Sequence, residues 1–264
     1  MKTIGFIGCG NMGKAMVEGI MKAQYVDGEH MIVSNLHPEK LQKLSERYDF
    51  YISDNESVAR NSDILFLAVK PYMFQKVIDE IKDFIKEDVI IISIAAGITM
   101  DELESMFESP CKIVRAMPNT PAMVQEAMSA VVFNHLLSNQ EKEEITAIFE
   151  CFGECLEVKE ELMSAVIAIS GSSPAYFFMM IEAMADEAVL EGMTRDDAYH
   201  FAAQAMLGSA KLVLESKMHP AQLKDMVTSP RGTTIEAVLK LEEYGFRNAI
   251  MQAMKACADK NRRM

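Results

Sequence analysis

The chain has no tryptophan, and its 264 residues carry only 26 Lys and Arg against 39 Asp and Glu. A net charge of −13 leaves no basic stripe from which counterions could be released, so nucleic acid is not expected as a partner. Before residue 158 there are 14 basic and 25 acidic side chains, and after it 12 and 14, so the acid sits on the first half. An anionic ligand must therefore be held locally, by backbone donors and a few cations. The five cysteines include no CxxC pair; Cys151 and Cys155 are spaced CxxxC, which reads as free thiols in a reducing compartment. His30, His37, His135, His200 and His219 are scattered without ligand spacing, so no metal site is expected. No Ser-His-Asp or Cys-His arrangement, internal repeat or low-complexity linker is visible. The start, MKTIGFIG, lacks the apolar core and cleavage site of a signal peptide, which predicts a cytoplasmic protein. Residues 162 to 181 are 20 consecutive uncharged positions, formally enough to cross a bilayer. Because GSSP (171–174) interrupts them, the expectation is two buried helices meeting at a turn, without a membrane span.

Half of the residues are hydrophobic, and 22 methionines predict adaptable rather than aromatic packing. The length suits two domains. Over residues 1–158 short apolar runs alternate with helical patterns. KTIGFIG, MIVSN, FYIS, DILFLAV, VIIISIA and KIVRAM read as strands, with SAVVF and CLEV around a helix over Gln140–Phe152. Several strands are continuously apolar, as in a parallel sheet covered on both faces. Helices are predicted from Pro38, over 55–60, from Pro71 to Phe84 and from Thr99. From 159 to 264 only helical patterns remain, at about 160–169, 174–191, 195–216, 220–227, 233–243 and 246–261. The fold class is thus α/β: a Rossmann-type, doubly wound, mostly parallel sheet followed by an all-α domain. AYFFMMIEAMADEAV is apolar around most of its circumference, too much for a domain of about 100 residues to bury alone, which predicts dimerisation through it.

GFIGCGNMG places Gly8, Gly10 and Gly13 in G-x-G-x-x-G spacing between a strand and a helix, the dinucleotide-binding arrangement. Cys9 between them reads as a small filler. At the end of the second strand stand Ser34, Asn35, Leu36 and His37, with Lys40 a turn later. No carboxylate is present there to repel a 2′-phosphate, which favours NADPH, while the lack of an arginine keeps NADH as an alternative. AVKP (Ala68, Val69, Lys70, Pro71), IAAG (94–97) and MPNTP (117–121) end three further strands and are expected to line the nicotinamide, with Asn119 and Thr120 presented by the last. In SPRGTT (229–234), Pro230 and Gly232 shape a turn. Thr233, Thr234 and Ile235 there open a helix whose free N–H groups suit a carboxylate; a plain N-cap is the other reading.

In order, GxGxxG, AVKP, AAG, MPNTP, SGSSPAY and HPAQLKDMVTSPRGTT resemble pyrroline-5-carboxylate reductase over essentially the whole chain. The resemblance implies a Rossmann domain and a helical domain that interlocks with its twin into a homodimer, often within a larger ring of dimers. It also implies an active site shared between subunits. Cofactor contacts carry over to Ile7, Gly8, Cys9, Gly10, Asn11, Met12, Ser34, Asn55, Val69, Lys70 and Ala96. Contacts to the small cyclic imino acid carry over to Ser229, Thr233 and Thr234, with Gly232 shaping the turn and Glu160 matching an acidic position near the site. Thr234 is the candidate for influencing protonation at the ring nitrogen, although a neutral hydroxyl is a poor acid. Two departures stand out: Arg231 replaces a usual glycine, and Met226 stands where some members have Asn. The implied reaction is hydride transfer to the C5 imine carbon of (S)-1-pyrroline-5-carboxylate, giving L-proline. The alternatives are a reductase of a related cyclic imine, a β-hydroxyacid dehydrogenase, and an NADP-binding sensor or scaffold. The dehydrogenase would need a catalytic lysine on the first long helix after the sheet, and residues 162–192 contain none.

Overall fold

A computed structural model describes residues 1–263. Eight strands form one sheet: β1 (Ile4–Ile7), β2 (Met31–Ser34), β3 (Tyr51–Ile52), β4 (Ile64–Leu67), β5 (Ile90–Ser93), β6 (Lys112–Met117), β7 (Ala127–Phe133) and β8 (Gly153–Glu157). Their spatial order is β3-β2-β1-β4-β5-β6-β7-β8, with every pair parallel except β6 and β7. Consecutive strands from β1 lead first to one side and then, from β4, to the other. That switch between β1 and β4 opens the crevice in which such sheets bind ligands.

Every residue of β1, β2, β4 and β5 is buried, because helices cover both faces. On one face Phe6 and Phe66, register partners in β1 and β4, stack with centroids 4.3 Å apart. They are joined there by Met16, Val17 and Ile20 of α1 (Asn11–Lys22). On the other face Ile7, Leu65 and Ile91 meet the helices that follow β3, β4 and β5. Between β2 and β3, α2 (Gln42–Tyr48) follows a 3-10 turn at Pro38–Lys40. Next come α3 (Asn55–Asn61), α4 (Phe74–Ile81) after a 3-10 turn at Pro71–Met73, and α5 (Met100–Ser105). The proline-led starts thus tighten into 3-10 geometry before each α-helix. Between β7 and β8, α6 (Asn139–Glu150) carries a full capping box between Ser138 and Glu141.

The chain contracts into two compact units, Met1–Ser172 joined by the last turns from Cys257, and Ser173–Ala256. GSSP is not the open turn expected from sequence. In the first unit α7 (Met163–Val166) passes into a π-helical segment, Ile167–Gly171, closed by Ser172 N–H donating to the Ile167 carbonyl at 2.8 Å. Only Ser172 separates it from α8 (Ser173–Leu190), since Pro174 fits the first helical turn, where no N–H is needed. By length and composition the helical run Glu160–Leu190 could cross a membrane.

The second unit comprises α8, α9 (Arg195–Ser216), α10 (Pro220–Val227), α11 (Thr233–Glu243) and most of α12 (Phe246–Asn261). Its buried residues are all small, Ser173, Pro174, Ala185, Ala198 and Ala202. Phe178, Met179, Phe201, Leu207 and Leu214 stand more than half exposed. The helices expected to be buried are therefore bare within a single chain.

Burial pushes the Glu141 carboxyl up, but donation from Lys112 Nζ at 2.7 Å and from the Ser138 N–H and hydroxyl outweighs it and brings the group down to about 2. A depressed carboxylate adds stability above its ordinary pKa and loses it as pH falls through the folded value. Glu141→Gln should therefore lower stability at pH 6 and flatten the acid limb of a urea-unfolding series between pH 4.5 and 2. Parallel curves for the two proteins would contradict the assignment.

Candidate active site

The glycine loop sits at the switch point between β1 and β4. Gly8 has φ +83°, and a Cβ there would lie 2.6 Å from Val69 Cγ1 and 2.9 Å from the Ala68 carbonyl. Only glycine permits both the left-handed backbone and this close approach to the end of β4. Gly10 is different: a Cβ there would meet nothing within 4 Å. It is the N-cap of α1 without a side-chain cap, and the first turn of α1 contains no acid. The free N–H groups and open space above Gly10 form a cradle that fits a pyrophosphate. At Gly13 an added Cβ would come within 3.0 Å of the Gly8 carbonyl oxygen, so the third glycine lets helix and loop close up.

Side chains around the cradle serve mostly to hold it. Gly8 N–H donates to the Ser34 carbonyl at 3.0 Å, and Asn35 Nδ2 donates to the Cys9 carbonyl at 3.1 Å, which fixes the end of β2 to the loop. Ser34 is buried, and its hydroxyl donates to Asn55 Oδ1 at 2.6 Å. Asn55 Nδ2 in turn faces both oxygens of Glu80 at 3.1 Å. Lys14 Nζ reaches the Lys40 carbonyl at 3.0 Å, which brings two ammonium-bearing residues to the end of β2. His37 pairs with Glu39. Burial, opposed only weakly by Lys14, pushes the Cys9 thiol up to about 12, so it remains a protonated filler.

Beyond β4, the Ala68 N–H donates to the Ile7 carbonyl at 2.8 Å, and the exposed Lys70 precedes the turn at Pro71. Ala96 packs against the cluster of Met117, Met163 and Ile167. MPNTP departs from expectation. Asn119 is turned inward, its Nδ2 donating to the Ser170 carbonyl at 3.1 Å and its Oδ1 accepting the Met128 N–H at 2.9 Å, and only Thr120 is exposed. An extended strand end flanked by prolines gave no sign that a carbonyl of the π-helical segment needed a donor. Glu160 is likewise engaged, accepting from Arg115 Nη1 at 2.8 Å and from the Met100 N–H at 2.6 Å. No group of three or more His, Cys, Asp and Glu side chains suited to a metal occurs among the described residues.

In the second unit, the Gly232 N–H donates to the Ser229 carbonyl at 3.0 Å and closes a four-residue turn. Arg231 is left-handed there, with φ +61°. Proline second and a positive φ third are the signature of a type II turn, which explains why a glycine is usual at that place. Gly232 itself is extended, and an added Cβ would strike Ser229 Oγ at 2.4 Å. Gly232 is the N-cap of α11 and offers no side chain to cap it, so the first-turn N–H groups at Thr233, Thr234 and Ile235 have no partner within the helix. The Thr233 and Thr234 side chains are exposed beside them.

Residues 160–264 match a family model described as pyrroline-5-carboxylate reductase dimerisation, and residues 3–97 match one described as NADP oxidoreductase, coenzyme F420-dependent. Pyrroline-5-carboxylate reductase of Escherichia coli K12 is 48% identical over all 264 residues, which cover 98% of that protein. The chain belongs to the pyrroline-5-carboxylate reductase family. Its relative in Methanosarcina acetivorans is 42% identical over 100% of this chain and 98% of that one. Among solved structures, the Plasmodium falciparum pyrroline carboxylate reductase with NADP bound superposes with a TM-score of 0.90 at 32% identity, covering 99% of this chain and 97% of that one. The Coxiella burnetii reductase gives 0.91 at 33% identity, with coverages of 99% and 98%.

The first two glycines of the loop are expected to separate on mutation. Gly8→Ala should lower the Tm by several degrees, because a clash and a left-handed alanine cost about 1–3 kcal/mol. Gly10→Ala should leave the Tm unchanged and weaken NADPH binding about tenfold or more, read by fluorescence titration. Equal effects on both quantities in both variants would contradict the cradle.

Proposed function

We infer that this chain is a pyrroline-5-carboxylate reductase that takes NAD(P)H as hydride donor, carries out the last step of proline biosynthesis and prefers NADPH. The observation that carries the reading is full-length identity of up to 48% to reductases of that name. Two uncapped helix starts within that chain, at α1 and α11, support it by offering anion sites in an acidic protein. NADPH preference is supported by the absence of a carboxylate at Ser34–His37 and by Lys14 and Lys40 beside it.

When bound, the nicotinamide supplies a hydride to the C5 imine carbon of (S)-1-pyrroline-5-carboxylate, giving L-proline. The protonated imine is already electrophilic, so the protein supplies orientation rather than a nucleophile. We assign the pyrophosphate to Gly8, Cys9, Gly10, Asn11, Met12 and Gly13, and the neighbouring cofactor contacts to Ile7, Ser34, Asn35, Asn55, Ala68, Val69, Lys70, Pro71 and Ala96. Ser34 and Asn55 act there through their bond to each other as much as by direct contact. The substrate carboxylate is assigned to the Ser229 and Gly232 turn and to the N–H and hydroxyl groups of Thr233 and Thr234. Thr234 is the side chain assigned to the reacting ring nitrogen, directly or through a bound water. Arg231 points its charge to solvent in this reading.

A homodimer through residues 159–264 fits the match to a dimerisation domain, and a second copy rather than lipid covers the apolar faces of α8 and α9. A ring of dimers, a cytoplasmic location and the absence of a nucleic-acid partner complete the proposal. The second reading, reduction of a six-membered cyclic imine, uses the same carboxylate grip. A sensor or scaffold would have no use for that grip.

The deciding assay is NADPH oxidation with pyrroline-5-carboxylate beside NADH and the six-membered analogue. Turnover of the five-membered imine is expected, faster with NADPH; no turnover of either imine with either cofactor would sink the reading. Thr234→Ala should raise the KM for the imine about tenfold, the scale of a hydrogen bond to a charged group. Arg231→Gly should change it by less than about twofold, since its guanidinium takes no part. Unchanged KM in both variants would move the carboxylate to another site.

A further inference from the structure

Ser34 closes β2, the place where such sheets meet the ribose that carries or lacks a 2′-phosphate. It is buried, and its hydroxyl donates to Asn55 Oδ1 at 2.6 Å. Asn55 opens α3, and its Nδ2 lies 3.1 Å from each oxygen of Glu80, an exposed residue of α4. Three side chains thus form a relay from the strand end to a carboxylate. That acid belongs neither to the end of β2 nor to the glycine loop, and the cofactor assignments above leave it without a role.

The relay has a direction. A carboxylate has acceptors only, so the Asn55 amide turns Nδ2 to Glu80 and Oδ1 to Ser34, and the Ser34 hydroxyl has to donate. Ser34 is left with lone pairs for a ligand. These suit a ribose 2′-hydroxyl, which can donate to them. A 2′-phosphate brings acceptors, and must draw the Ser34 hydrogen away from Asn55 before it can use it. Charge acts in the same sense. Arg60 shares a shallow surface depression with Asp54, Glu56 and Glu80, but its guanidinium stands over the Phe84 ring at 4.9 Å. Among the described residues no lysine or arginine forms an ion pair with Glu80. Its charge therefore stays uncompensated, one amide away from Ser34.

We propose that Glu80 is a specificity-determining residue for the cofactor: it turns the Ser34–Asn55 pair toward a ribose hydroxyl and restrains the preference for NADPH that Lys14 and Lys40 favour. In sheets that select NAD, an acid about 20 residues beyond the glycine loop bonds the ribose directly. Here the acid stands on α4 and acts through an amide. The proposal rests on the reading of Ser34 and Asn55 as cofactor contacts, so its test measures cofactor binding without the imine.

Glu80→Gln removes the charge and lets the relay reverse, since a glutamine amide can donate to Asn55 Oδ1 and so release the Ser34 hydrogen. Affinities for NADPH and NADH are read by fluorescence titration at low and at high salt. At low salt the variant is expected to bind NADPH about three- to tenfold more tightly than the parent and NADH within about twofold, the scale of one hydrogen bond and a partly screened charge. High salt should shrink the gain without abolishing it. Glu80→Leu, which leaves the Asn55 amide free to turn, should raise the NADPH-to-NADH affinity ratio as well. Asp79→Asn changes the net charge equally on the same helix, where the carboxylate accepts only from Gln75 among the described residues, and should keep the parent ratio. An unchanged ratio in both Glu80 variants would overturn the proposal. So would weaker NADPH binding in them, which would make Glu80 a support of the phosphate site, or an equal gain in Asp79→Asn, which would reduce the effect to overall charge. If the parent bound neither cofactor, the cofactor reading would fall and the proposal with it. A shifted ratio in a protein that turned over no imine would uphold the proposal and count against the reductase reading alone.

Discussion

The helical unit has no core of its own. From Ser173 to Ala256 the buried side chains are serine, proline and three alanines, while phenylalanines, leucines and methionines of α8 and α9 face outward. At roughly 25 cal/mol per Å² of apolar surface, helices that leave such residues wet forgo the main term that offsets chain entropy. The sheet unit is the opposite case, with four strands buried end to end and a stacked phenylalanine pair at its centre. A second copy is the covering that the match to a dimerisation domain supports, and the turn at Ser229–Gly232 then hangs on helices that exist because of that pairing. Substrate binding and assembly are in this account one problem.

Charge poses the second constraint. A protein of net charge −13 has to hold a dinucleotide and a carboxylate without a basic surface to attract either. Both proposed sites meet it with backbone N–H groups at the start of a helix, exposed by a glycine cap that has no side chain to fill the position. Side chains of the sheet unit spend their hydrogen bonds within the protein: Asn35 on the Cys9 carbonyl, Ser34 on the Asn55 side chain, Asn119 on the Ser170 carbonyl. Arg231 shows how much the turn tolerates. A left-handed arginine costs about 1–2 kcal/mol relative to a favourable backbone, yet the four-residue bond to Gly232 is kept.

What could be read from the residues divides along physical lines. Glycine spacing, continuous apolar strands and proline-led helix starts are local signals, and the sheet, the glycine loop and the SPRGTT turn follow them. The left-handed Arg231 was also foreshadowed, by a glycine usual at that place. GSSP misled because its composition is that of a turn, whereas a proline in the first turn of a helix needs no break before it. Asn119 and Glu160 were hidden for a different reason. Their partners, the Ser170 carbonyl and the Arg115 and Met100 donors, lie tens of residues away, and no local pattern announces a donor at that range. Exposure of α8 and α9 was readable only as excess apolarity, since a sequence does not say which surface covers it.

Concentration-dependent sedimentation, with far-ultraviolet circular dichroism followed on the same samples, tests the account most directly. If the helical unit folds only against a second copy, every sample with full helical signal will sediment as a dimer or a multiple of it. Dilution below the dissociation point will then remove helicity and NADPH-dependent imine reduction together. A single 29.5 kDa chain that retained full helicity and turned over the imine would contradict it.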